Sequence, residues 1–538
     1  MTCGELLVEL LECAQVELVF GIPGVHTVEL YRGLPATRIR HITPRHEQGA
    51  GFMADGYARI SGKPGVCFII TGPGITNILT AMGQAYGDSV PMLVISSVNR
   101  TEQLGMGGGR LHELRSQRNL TAGVTAFSHT LMRPDELPEV LSRAFAVFHS
   151  ARPRPVHIEI PLDVIIAPAD HVSRKLGVVP SSPAPSAEAI AQAVAALQAA
   201  TAPVILLGGG AVAAHEEIPT LVETLDAPTA VTVNAKGLLP KGHPLSLGSL
   251  QSMPSVRELI RSADVVLAVG TELSETDYDA LALDGNFRIH GKLIRVDIDP
   301  EQLHRNFMAD VAVLADSRLA VQALLERLPR RFTKSGVPIG AQRAAQLRQQ
   351  MSRELPASWR AQGRLLEILQ DVLPDAIVVG DSTQPVYAGN FLYEPSRPRS
   401  WFNSSTGYGT LGYGLPAAIG AKLAAPRRPV IALIGDGGIQ FTLAELASAV
   451  EARVAIIVLL WNNRGYGEIK RYMQQRGIEP IGVDIFTPDF LTLAHGFGCR
   501  AERAGNIEHL RSLLQAALTA DRPTVIEVLE EAEFLALG

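Results

Sequence analysis

The sequence has few cysteines and no cysteine motif. The four cysteines of the 538-residue chain, Cys3, Cys13, Cys67 and Cys499, lie far apart and form no C-x-x-C pair. This spacing argues against a disulfide framework and against a cysteine-based zinc site. We therefore expect reduced thiols, most of them buried.

Excess charge of one sign and long apolar runs are also missing. With 48 Lys and Arg against 54 Asp and Glu, the net charge is -6, so no basic surface for nucleic acid or anionic membranes is expected. No uninterrupted apolar run reaches the roughly 18 residues of a membrane span. The first residues carry acidic side chains and no basic leader, which argues against a signal peptide. We expect a soluble cytoplasmic protein that has neither nucleic acid nor membrane as a partner.

What the chain does contain is a repeated alternation of β-rich runs and helical stretches. Examples are "GVCFIITGPG", "PMLVISSV", "SADVVLAVGTEL" and "PTVIEVLEE". This alternation predicts parallel sheets with crossover helices, and the length exceeds that of a single core. We predict three doubly wound α/β domains at 1–167, 186–328 and 359–538. A Pro/Ser/Ala-rich linker at 178–189 and a polar connector within 324–350 would join them.

Two polar turns follow apolar runs in the third segment. "PVIALIG" and "VAIIVLLWN" predict buried strands, and the stretch between them predicts one helix whose apolar face holds Phe441, Leu443, Leu446, Ala447 and Val450. A right-handed crossover makes the two strands parallel. Asp436 and Asn463 would then both lie at the carboxyl edge, where open α/β sheets bind ligands. Either turn alone would usually be only a turn, but the pair favours a binding site.

The residue types in these turns suit a metal and a diphosphate. Asp436 offers a carboxylate oxygen and Asn463 an amide oxygen, which are ligands that Mg²⁺ accepts together with phosphate oxygens and a backbone carbonyl. Gly435, Gly437 and Gly438 let the backbone approach a phosphate closely, and the following helix N-terminus adds a positive dipole. The pattern therefore predicts a magnesium–diphosphate site.

This pattern resembles the thiamine-diphosphate-dependent enzymes, the family of acetolactate synthase and pyruvate decarboxylase. The resemblance implies that Asp436, Asn463 and the carbonyl of Gly465 hold Mg²⁺ against the diphosphate. "RHEQGAGFMADGYAR" resembles the cofactor-activating helix, with Glu47 as its glutamate. "FGIPG", "TGPGITN" and "GTLGYGLPAAIGAKLA" extend the match over nearly the whole chain. The implied order is pyrimidine-binding, central and diphosphate-binding domains.

The resemblance also implies roles for further residues. Glu47 would hydrogen-bond ring nitrogen N1′ of the cofactor, and the carbonyl of Gly409 would accept from the 4′-amino group. Leu411 would be the apolar prop between the two rings, where relatives often carry methionine. Hydroxyl and amide contacts to the diphosphate would come from Ser382, Thr383 and Gln384. Because the activating glutamate and the metal meet across a subunit interface in this family, a homodimer is the minimum and a homotetramer is common.

Residues that act on the substrate are less sharply marked. His26 aligns with a position near the reactive carbon of the cofactor and could move protons, since histidine titrates near neutrality; a structural histidine is the alternative. In "GMGGGRLHELRSQ", Gln117 matches a family position over the cofactor. His112 is an alternative there, as is a solvated loop without a role. Glu468 either faces a cationic substrate or pairs with a neighbouring basic residue.

The leading interpretation is non-oxidative decarboxylation of a 2-oxo acid. "FGIPGVHTVELYRGL" and "GGGRLHELRSQ" resemble the 2-ketoarginine (5-guanidino-2-oxopentanoate) decarboxylases of bacterial arginine catabolism, which would yield 4-guanidinobutanal. The rival is a flavin-free acetolactate synthase-type carboligase. No FAD is expected, because the loop after "PLSLG" differs from flavin-bearing relatives and "LLGGGAVAA" lacks a full G-x-G-x-x-G. This also disfavours a thiamine-dependent oxidase.

Two further classes are disfavoured by residues that are present or absent. A non-catalytic cofactor-binding relative would be expected to have lost Glu47 or a metal ligand, and the chain has both. An NAD-dependent oxidoreductase would need a dinucleotide fingerprint after its first strand, and "FGIPGVHT" is not one.

Overall fold

The computed structural model describes residues 1–278, 287–329 and 339–536. These residues form three sheets flanked by helices, as the alternating pattern predicts. They divide into two compact units. The first sheet and most of the third sheet lie in one unit, built from residues 1–180, 377–386 and 403–534, and the middle sheet lies in the other.

The first sheet has six strands. They are β1 (Leu18–Gly21), β2 (Arg40–Ile42), β3 (Gly65–Ile69), β4 (Met92–Val98), β5 (Phe127–Thr130) and β6 (Val156–Pro161). Their order is β2–β1–β3–β4–β6–β5 with parallel pairing throughout. Its helices are α1 (Cys3–Cys13), α2 (Val28–Tyr31), α3 (Glu47–Ser61), α4 (Pro73–Gly87), α5 (Gln117–Thr121), α6 (Leu137–Ser150) and α7 (Leu162–Ile165). The inner strands are apolar and buried because helices cover both faces.

The middle sheet has five strands, also parallel. They are β7 (Val204–Leu207), β8 (Thr229–Val231), β9 (Val265–Val269), β10 (Lys292–Asp297) and β11 (Val311–Leu314), in the order β11–β10–β9–β7–β8. Its helices are α8 (Ala187–Ala199), α9 (Ile218–Leu225), α10 (Pro254–Ser262), α11 (Glu275–Tyr278), α12 (Ser317–Leu325), α13 (Ile339–Glu354) and α14 (Arg360–Val372). The predicted connector at 324–350 falls partly on residues 330–338, outside the described residues.

The glycine-rich turn after β7 packs against another backbone turn. A Cβ on Gly208 would lie 2.1 Å from the carbonyl oxygen of Gly270, and a Cβ on Gly210 would lie 2.9 Å from the Gly270 Cα. Close packing against Gly270 therefore explains these glycines, and a nucleotide-binding role is not needed to account for them.

The third sheet contains the predicted metal–diphosphate segment. Its strands are β12 (Ile377–Gly380), β13 (Trp401–Asn403), β14 (Val430–Gly435), β15 (Ile457–Asn462), β16 (Arg500–Arg503) and β17 (Thr524–Leu529), in the order β13–β12–β14–β15–β17–β16. The pairs from β12 to β16 run parallel. The helices are α15 (Gln384–Leu392), α16 (Gly414–Ala424), α17 (Asp436–Ile439), α18 (Glu445–Glu451), α19 (Gly467–Gln475), α20 (Phe490–Gly496), α21 (Ile507–Ala517) and α22 (Glu533–Ala536).

The single helix predicted between β14 and β15 is wrong. The chain forms a short α17, a turn and then α18, and Phe441 in that turn is 55% exposed. The Thr442 hydroxyl donates to the Gly412 carbonyl at 2.8 Å, which fixes the break. The restarted helix turns a different face inward, with buried Glu445, Leu446, Ser448 and Ala449.

Helices α3 and α16 join the first and third sheets by backbone contact. A Cβ on Gly56 would lie 2.0 Å from the Ala417 carbonyl oxygen, and a Cβ on Gly420 would lie 1.9 Å from the Met53 carbonyl oxygen. Only glycine allows two helices to approach this closely. The middle of the helix that begins at Glu47 is thus fixed against α16.

Two expectations from composition can be compared with the fold. The cysteines are free thiols; Cys13 is exposed, and Cys3, Cys67 and Cys499 are buried. Across the described ranges, every helix is either too short or too polar to cross a membrane.

A fully buried histidine lies in the first sheet. His157 on β6 has Nε2 2.8 Å from the Ser96 hydroxyl, and Nδ1 2.8 Å from the Ser128 hydroxyl and 2.9 Å from the Thr121 hydroxyl. Burial lowers the pKa of His157 to about 3. The ring therefore stays neutral and is satisfied by hydroxyl groups.

We expect His157 to make the protein acid-sensitive. An unfolded histidine titrates near pH ~6.5, so between that value and about pH 3 the unfolded chain binds more protons than the folded one. The stability that neutral His157 contributes to the folded state is fully present above about pH 6.5, and it is lost as the pH falls from there towards about 3. The melting temperature of wild type should exceed that of His157→Gln near neutral pH, and this difference should become smaller as the pH falls. Exposed His215 provides the control variant His215→Gln; an unchanged gap for His157→Gln would contradict the assignment.

Candidate active site

The carboxyl edge of the third sheet brings Asp436 and Asn463 together. Strands β14 and β15 are parallel neighbours, with Gly435 opposite Trp461, and each polar residue is the first beyond its strand. The backbone N–H of Asn463 donates to Asp436 Oδ1 with an N–O distance of 3.3 Å. The crossover geometry thus produces the expected meeting of the two turns.

The environment of Asp436 is suited to a cation. The side chain is buried, and burial raises the pKa of this carboxyl, against the opposing effect of backbone N–H groups of Asn463 and Gly465. A metal ion beside a buried carboxylate would favour its ionised form. With an amide and a carbonyl nearby, the donor set fits a hard divalent cation such as Mg²⁺.

Glycines allow the turns around Asp436 to close. Gly465 has φ of +152°, and a Cβ there would lie 2.4 Å from the Val483 carbonyl oxygen. A Cβ on Gly437 would lie 2.7 Å from the ring of Tyr466. Both positions therefore require glycine, and together they hold the segment after β15 against the start of α17.

A second buried carboxylate, Asp381, lies beside this turn and was missed from the sequence. Its Oδ1 accepts from the Ser382 N–H at 2.8 Å and its Oδ2 from the Gly414 N–H at 3.0 Å. A Cβ on Gly438 would lie 3.2 Å from the same carboxylate. Burial raises the pKa of Asp381 to about 6. Asp381 follows β12 directly, as Asp436 follows β14, and this position at a strand end could have identified it from the sequence.

The predicted diphosphate contacts follow the same strand end. A Cβ on Gly435 would lie 2.9 Å from the Thr383 hydroxyl oxygen, so Thr383 lies directly beside the glycine-rich turn. Ser382 has its hydroxyl 3.2 Å from the Ser404 hydroxyl. Gln384 accepts from the Trp461 indole N–H at 3.4 Å and donates to Glu468 at 3.5 Å.

Glu468 on α19 already has a cationic partner. Its Oε2 lies 2.6 Å from Arg471, and the carboxylate is 54% exposed. A second carboxylate, that of Glu530, lies 3.6 Å from the other guanidinium nitrogen of Arg471. Arg471 thus lies between the carboxylates of Glu468 and Glu530.

The segment before α16 presents the residues predicted for the aminopyrimidine. Gly409 has φ of +73° and donates its N–H to the Ser404 carbonyl at 2.9 Å. A Cβ on Gly409 would meet no described atom within 4 Å, so the turn faces open space. Leu411 is half-buried.

A buried charge network fastens this segment to α3. Arg59 on α3 is paired with Asp55 at 2.7 Å and with Asp88 at 2.6 Å. Asp88 in turn accepts from the Thr406 hydroxyl at 3.0 Å, and Tyr413 donates to Asp55. Because the three charged side chains are almost fully buried, loss of Arg59 would leave the two carboxylates buried without their shared cation.

Glu47 is the first residue of α3 and is half-buried. Its Oε2 accepts from the Asn77 side-chain amide at 2.9 Å. Its Oε1 lies 3.4 Å from the position of a Cβ on Gly74. Glu47 therefore lies beside the turn that opens α4.

His26 and His112 lie together at the same turn. Their ring centroids are 5.1 Å apart in an edge-on arrangement. The His112 carbonyl oxygen lies 2.5 Å from the position of a Cβ on Gly72, two residues before Gly74. Within the described residues both Nδ1 atoms are buried and lack a hydrogen-bond partner. Burial, reinforced by His112, lowers the pKa of His26.

Gln117 is buried and contacts the turn at Gly72, next to His112, through its side-chain amide. Its Nε2 donates to the Ser96 hydroxyl and the Ser97 carbonyl, both at 2.9 Å, and to Glu159 at 3.2 Å. Its Oε1 accepts from the Gly72 N–H at 3.1 Å. In this arrangement Gln117 supports the turn at Gly72, and its predicted role over the cofactor stays a prediction.

The predicted residues thus form two clusters. Glu47, His26 and His112 surround the turn at Gly72–Gly74, while Asp436, Asn463 and their neighbours occupy the carboxyl edge of the third sheet. Within the described ranges, no group of three or more His, Cys, Asp or Glu side chains could hold a metal ion. A cation at Asp436 would therefore depend on amide, carbonyl and ligand oxygens.

Family models match all three parts of the chain. Residues 1–120 match the N-terminal TPP binding domain of thiamine pyrophosphate enzymes, 190–324 their central domain, and 381–528 their C-terminal TPP binding domain. These matches agree with the three sheets.

Individual relatives are similar over almost the whole chain. A probable 2-ketoarginine decarboxylase, AruI of Pseudomonas aeruginosa, is 48% identical over 98% of this chain and 94% of its own length. The large subunit of acetolactate synthase isozyme 1 of Escherichia coli is 34% identical over 99% of this chain and 94% of its own. The acetolactate synthase large subunit of Corynebacterium glutamicum is 33% identical over 98% and 86%. The chain therefore belongs to the thiamine pyrophosphate enzyme family.

Proposed function

We propose that the protein catalyses the non-oxidative decarboxylation of 2-ketoarginine to 4-guanidinobutanal, with thiamine diphosphate and Mg²⁺ as cofactors. The observation that carries the cofactor assignment is the meeting of Asp436 and Asn463 at the joint carboxyl edge of β14 and β15. The 48% identity to a probable 2-ketoarginine decarboxylase supports the substrate.

The metal-side residues would bind the diphosphate end of the cofactor. Asp436, Asn463 and the Gly465 carbonyl would hold Mg²⁺, and the hydroxyl of Thr383, beside Gly435, would contact the diphosphate. Ser382 and Gln384 are further candidates at the end of β12. Gly437 and Gly438 have no side chains of their own, so backbone N–H groups at the start of α17 could approach phosphate oxygens.

Bound thiamine diphosphate supplies the carbon nucleophile and electron sink that decarboxylation of a 2-oxo acid requires. Glu47 would hold a proton against the aminopyrimidine ring, which Gly409 and Leu411 would orient. The imidazoles of His26 and His112, with two buried nitrogens that lack a partner in the described chain, would exchange protons with the substrate. Gln117 would keep the turn at Gly72 in place.

The substrate's guanidinium would be recognised by Glu468. In the single chain this carboxylate binds Arg471, but Glu530 is also close enough to retain Arg471 if Glu468 turns towards a substrate. Planar guanidinium–carboxylate pairing would then distinguish 2-ketoarginine from uncharged 2-oxo acids.

We also propose that the two clusters complete one active site across a homodimer, with a homotetramer as the larger assembly. Support comes from large apolar side chains that are exposed in the single chain and lie close in sequence to residues of the clusters, namely Val25 at 68%, Met106 at 74% and Phe486 at 85%. A cytoplasmic location and the absence of FAD are part of the proposal, so we expect the purified protein to show no visible flavin absorbance.

The proposed reaction is tested by mass spectrometry of products. Purified protein with Mg²⁺ and thiamine diphosphate should convert 2-ketoarginine to the guanidino-aldehyde and CO₂. Acetolactate formed from pyruvate, with 2-ketoarginine untouched, would instead establish the acetolactate synthase-type carboligase, which the relatives at 34% and 33% identity keep as the second candidate.

Glu47→Gln should separate cofactor binding from cofactor activation. The amide cannot deliver the carboxyl proton, so exchange of the C2 proton of the bound cofactor should slow by orders of magnitude while cofactor and Mg²⁺ still bind. Proton NMR after acid quenching measures the exchange. Glu102→Gln, at an exposed surface carboxylate, should exchange like wild type. Unchanged exchange in Glu47→Gln would remove Glu47 from this role.

Asp436→Ala should abolish Mg²⁺-dependent retention of the cofactor, because the only carboxylate in the proposed metal set is lost. Quenching of protein fluorescence by thiamine diphosphate, with and without Mg²⁺, measures this retention. Asp521→Ala removes an exposed carboxylate of the same unit and is the control. Metal-dependent quenching that survives in Asp436→Ala would contradict the proposed ligand.

Glu468→Gln should weaken binding of the cationic substrate selectively. We expect KM for 2-ketoarginine to rise about fivefold, because a half-exposed ion pair contributes up to about 1 kcal/mol. KM for an uncharged straight-chain 2-oxo acid should stay the same, as should both values in the exposed control Glu479→Gln. An equal rise for both substrates would argue against guanidinium recognition by Glu468.

A further inference from the structure

A buried carboxylate from the third sheet's layer grips the segment that leads into α3. Glu445, the first residue of α18, is 1% exposed. Its Oε1 accepts from the backbone N–H groups of Arg45 at 3.0 Å and His46 at 3.1 Å, and its Oε2 lies 3.1 Å from the Arg45 nitrogen. These two amides immediately precede Glu47. None of the roles proposed above uses Glu445.

The contact is supported from both sides. The Ser448 hydroxyl donates to Glu445 Oε2 at 2.6 Å, which orients the carboxylate from its own helix. On the other side, the Arg45 guanidinium is paired with Glu451 at 2.5 Å, so side chain and backbone of Arg45 are both held by α18. Burial raises the pKa of Glu445, while the donated hydrogen bonds act in the opposite direction.

A glycine makes room for this carboxylate. A Cβ on Gly49 would lie 2.1 Å from Glu445 Oε1 and 2.7 Å from its carboxyl carbon. Gly49 lies inside the first turn of α3, where glycine weakens a helix relative to alanine. The Glu445 carboxylate occupies the space that a side chain at position 49 would need, which explains why a glycine is found in this helix.

We propose that Glu445 is a positioning residue that sets the place of Glu47 by fixing the two amides before it. The inference rests on the proposed function, in which Glu47 acts on the cofactor. The backbone contacts of α3 with α16 at Gly56 and Gly420 fix the middle of the helix, but its first turn lies outside them. Glu445 constrains the backbone at that end, while the Asn77 amide holds the Glu47 carboxylate itself.

The first test uses the protein without cofactor. Hydrogen–deuterium exchange of peptides covering residues 40–50 reports directly on the amides of Arg45 and His46. In Glu445→Gln one carboxylate oxygen is replaced by an NH₂ group that faces donors, so these amides should exchange faster. Glu451→Gln removes only the guanidinium partner of Arg45 and should leave the two amides protected. Unchanged exchange in Glu445→Gln would overturn the proposed grip.

The second test measures the consequence for catalysis. Glu445→Gln should lower kcat about 10- to 100-fold, since displacement of a catalytic group by about 1 Å has effects of this size. KM and cofactor affinity should change little, and C2 proton exchange should slow together with kcat. A general loss of structure would instead raise KM and weaken cofactor binding. Faster amide exchange with unchanged kcat would overturn the positioning role.

Gly49→Ala provides an independent route to the same state, because its methyl group displaces a chemically intact Glu445. It should reproduce both the faster amide exchange and the lower kcat. Gly363→Ala on α14, where the nearest atom to a Cβ is 3.4 Å away, controls for the substitution itself. Melting temperatures verify that each variant is folded. If Glu47→Gln leaves C2 exchange unchanged, the role of Glu47 fails, while amide exchange at 45 and 46 still decides whether Glu445 holds the segment.

Discussion

The contact between the Asn463 N–H and the Asp436 carboxylate depends on one constraint, the parallel pairing of β14 with β15. Parallel strands end at the same edge, so the polar residues that follow them must meet there. The glycines around Asp436 are explained by this meeting, because the turns close against Tyr466 and Val483 with no room for side chains. Asp381 extends the same edge by one strand and ties it to the start of α16. Sheet topology therefore determines which residues meet at this edge, where we propose that the metal and the diphosphate bind.

The second group of catalytic candidates is positioned by helix packing. Helix α3 carries Glu47 at its first position and lies against α16 with backbone in contact with backbone. At one end the carboxylate of Glu445 holds the preceding segment, and further along the buried Arg59 network ties the helix to the segment before α16. Rigid support of this kind is what a proton-transferring carboxyl needs, because small displacements are costly in rate. In the proposed function, activity would therefore depend on packing between the layers of the first and third sheets.

The sequence predicts the architecture well and the detailed contacts poorly. Short apolar runs mark the buried strands, and the meeting of Asp436 and Asn463 follows from topology alone. The edge strands β2, β5 and β16 escape prediction because they are short and partly exposed, so the apolar pattern is lost. The inward position of Glu445 is not predicted, because the apolar pattern indicates one continuous helix through Phe441. In the structure the helix is interrupted at Thr442, and the residues after the break face a different direction. The pairing of His26 with His112 joins two loops that are distant in sequence, and no local pattern encodes it.

The most direct test of the central claim is titration calorimetry of thiamine diphosphate into metal-free wild-type protein, before and after addition of Mg²⁺. If Asp436, Asn463 and the Gly465 carbonyl bind a cation that bridges to the diphosphate, binding should be weak without metal and become much tighter with it. The affinity gained should disappear when Mg²⁺ is removed by a chelator. Equal affinity in the presence and absence of a divalent cation would contradict the account.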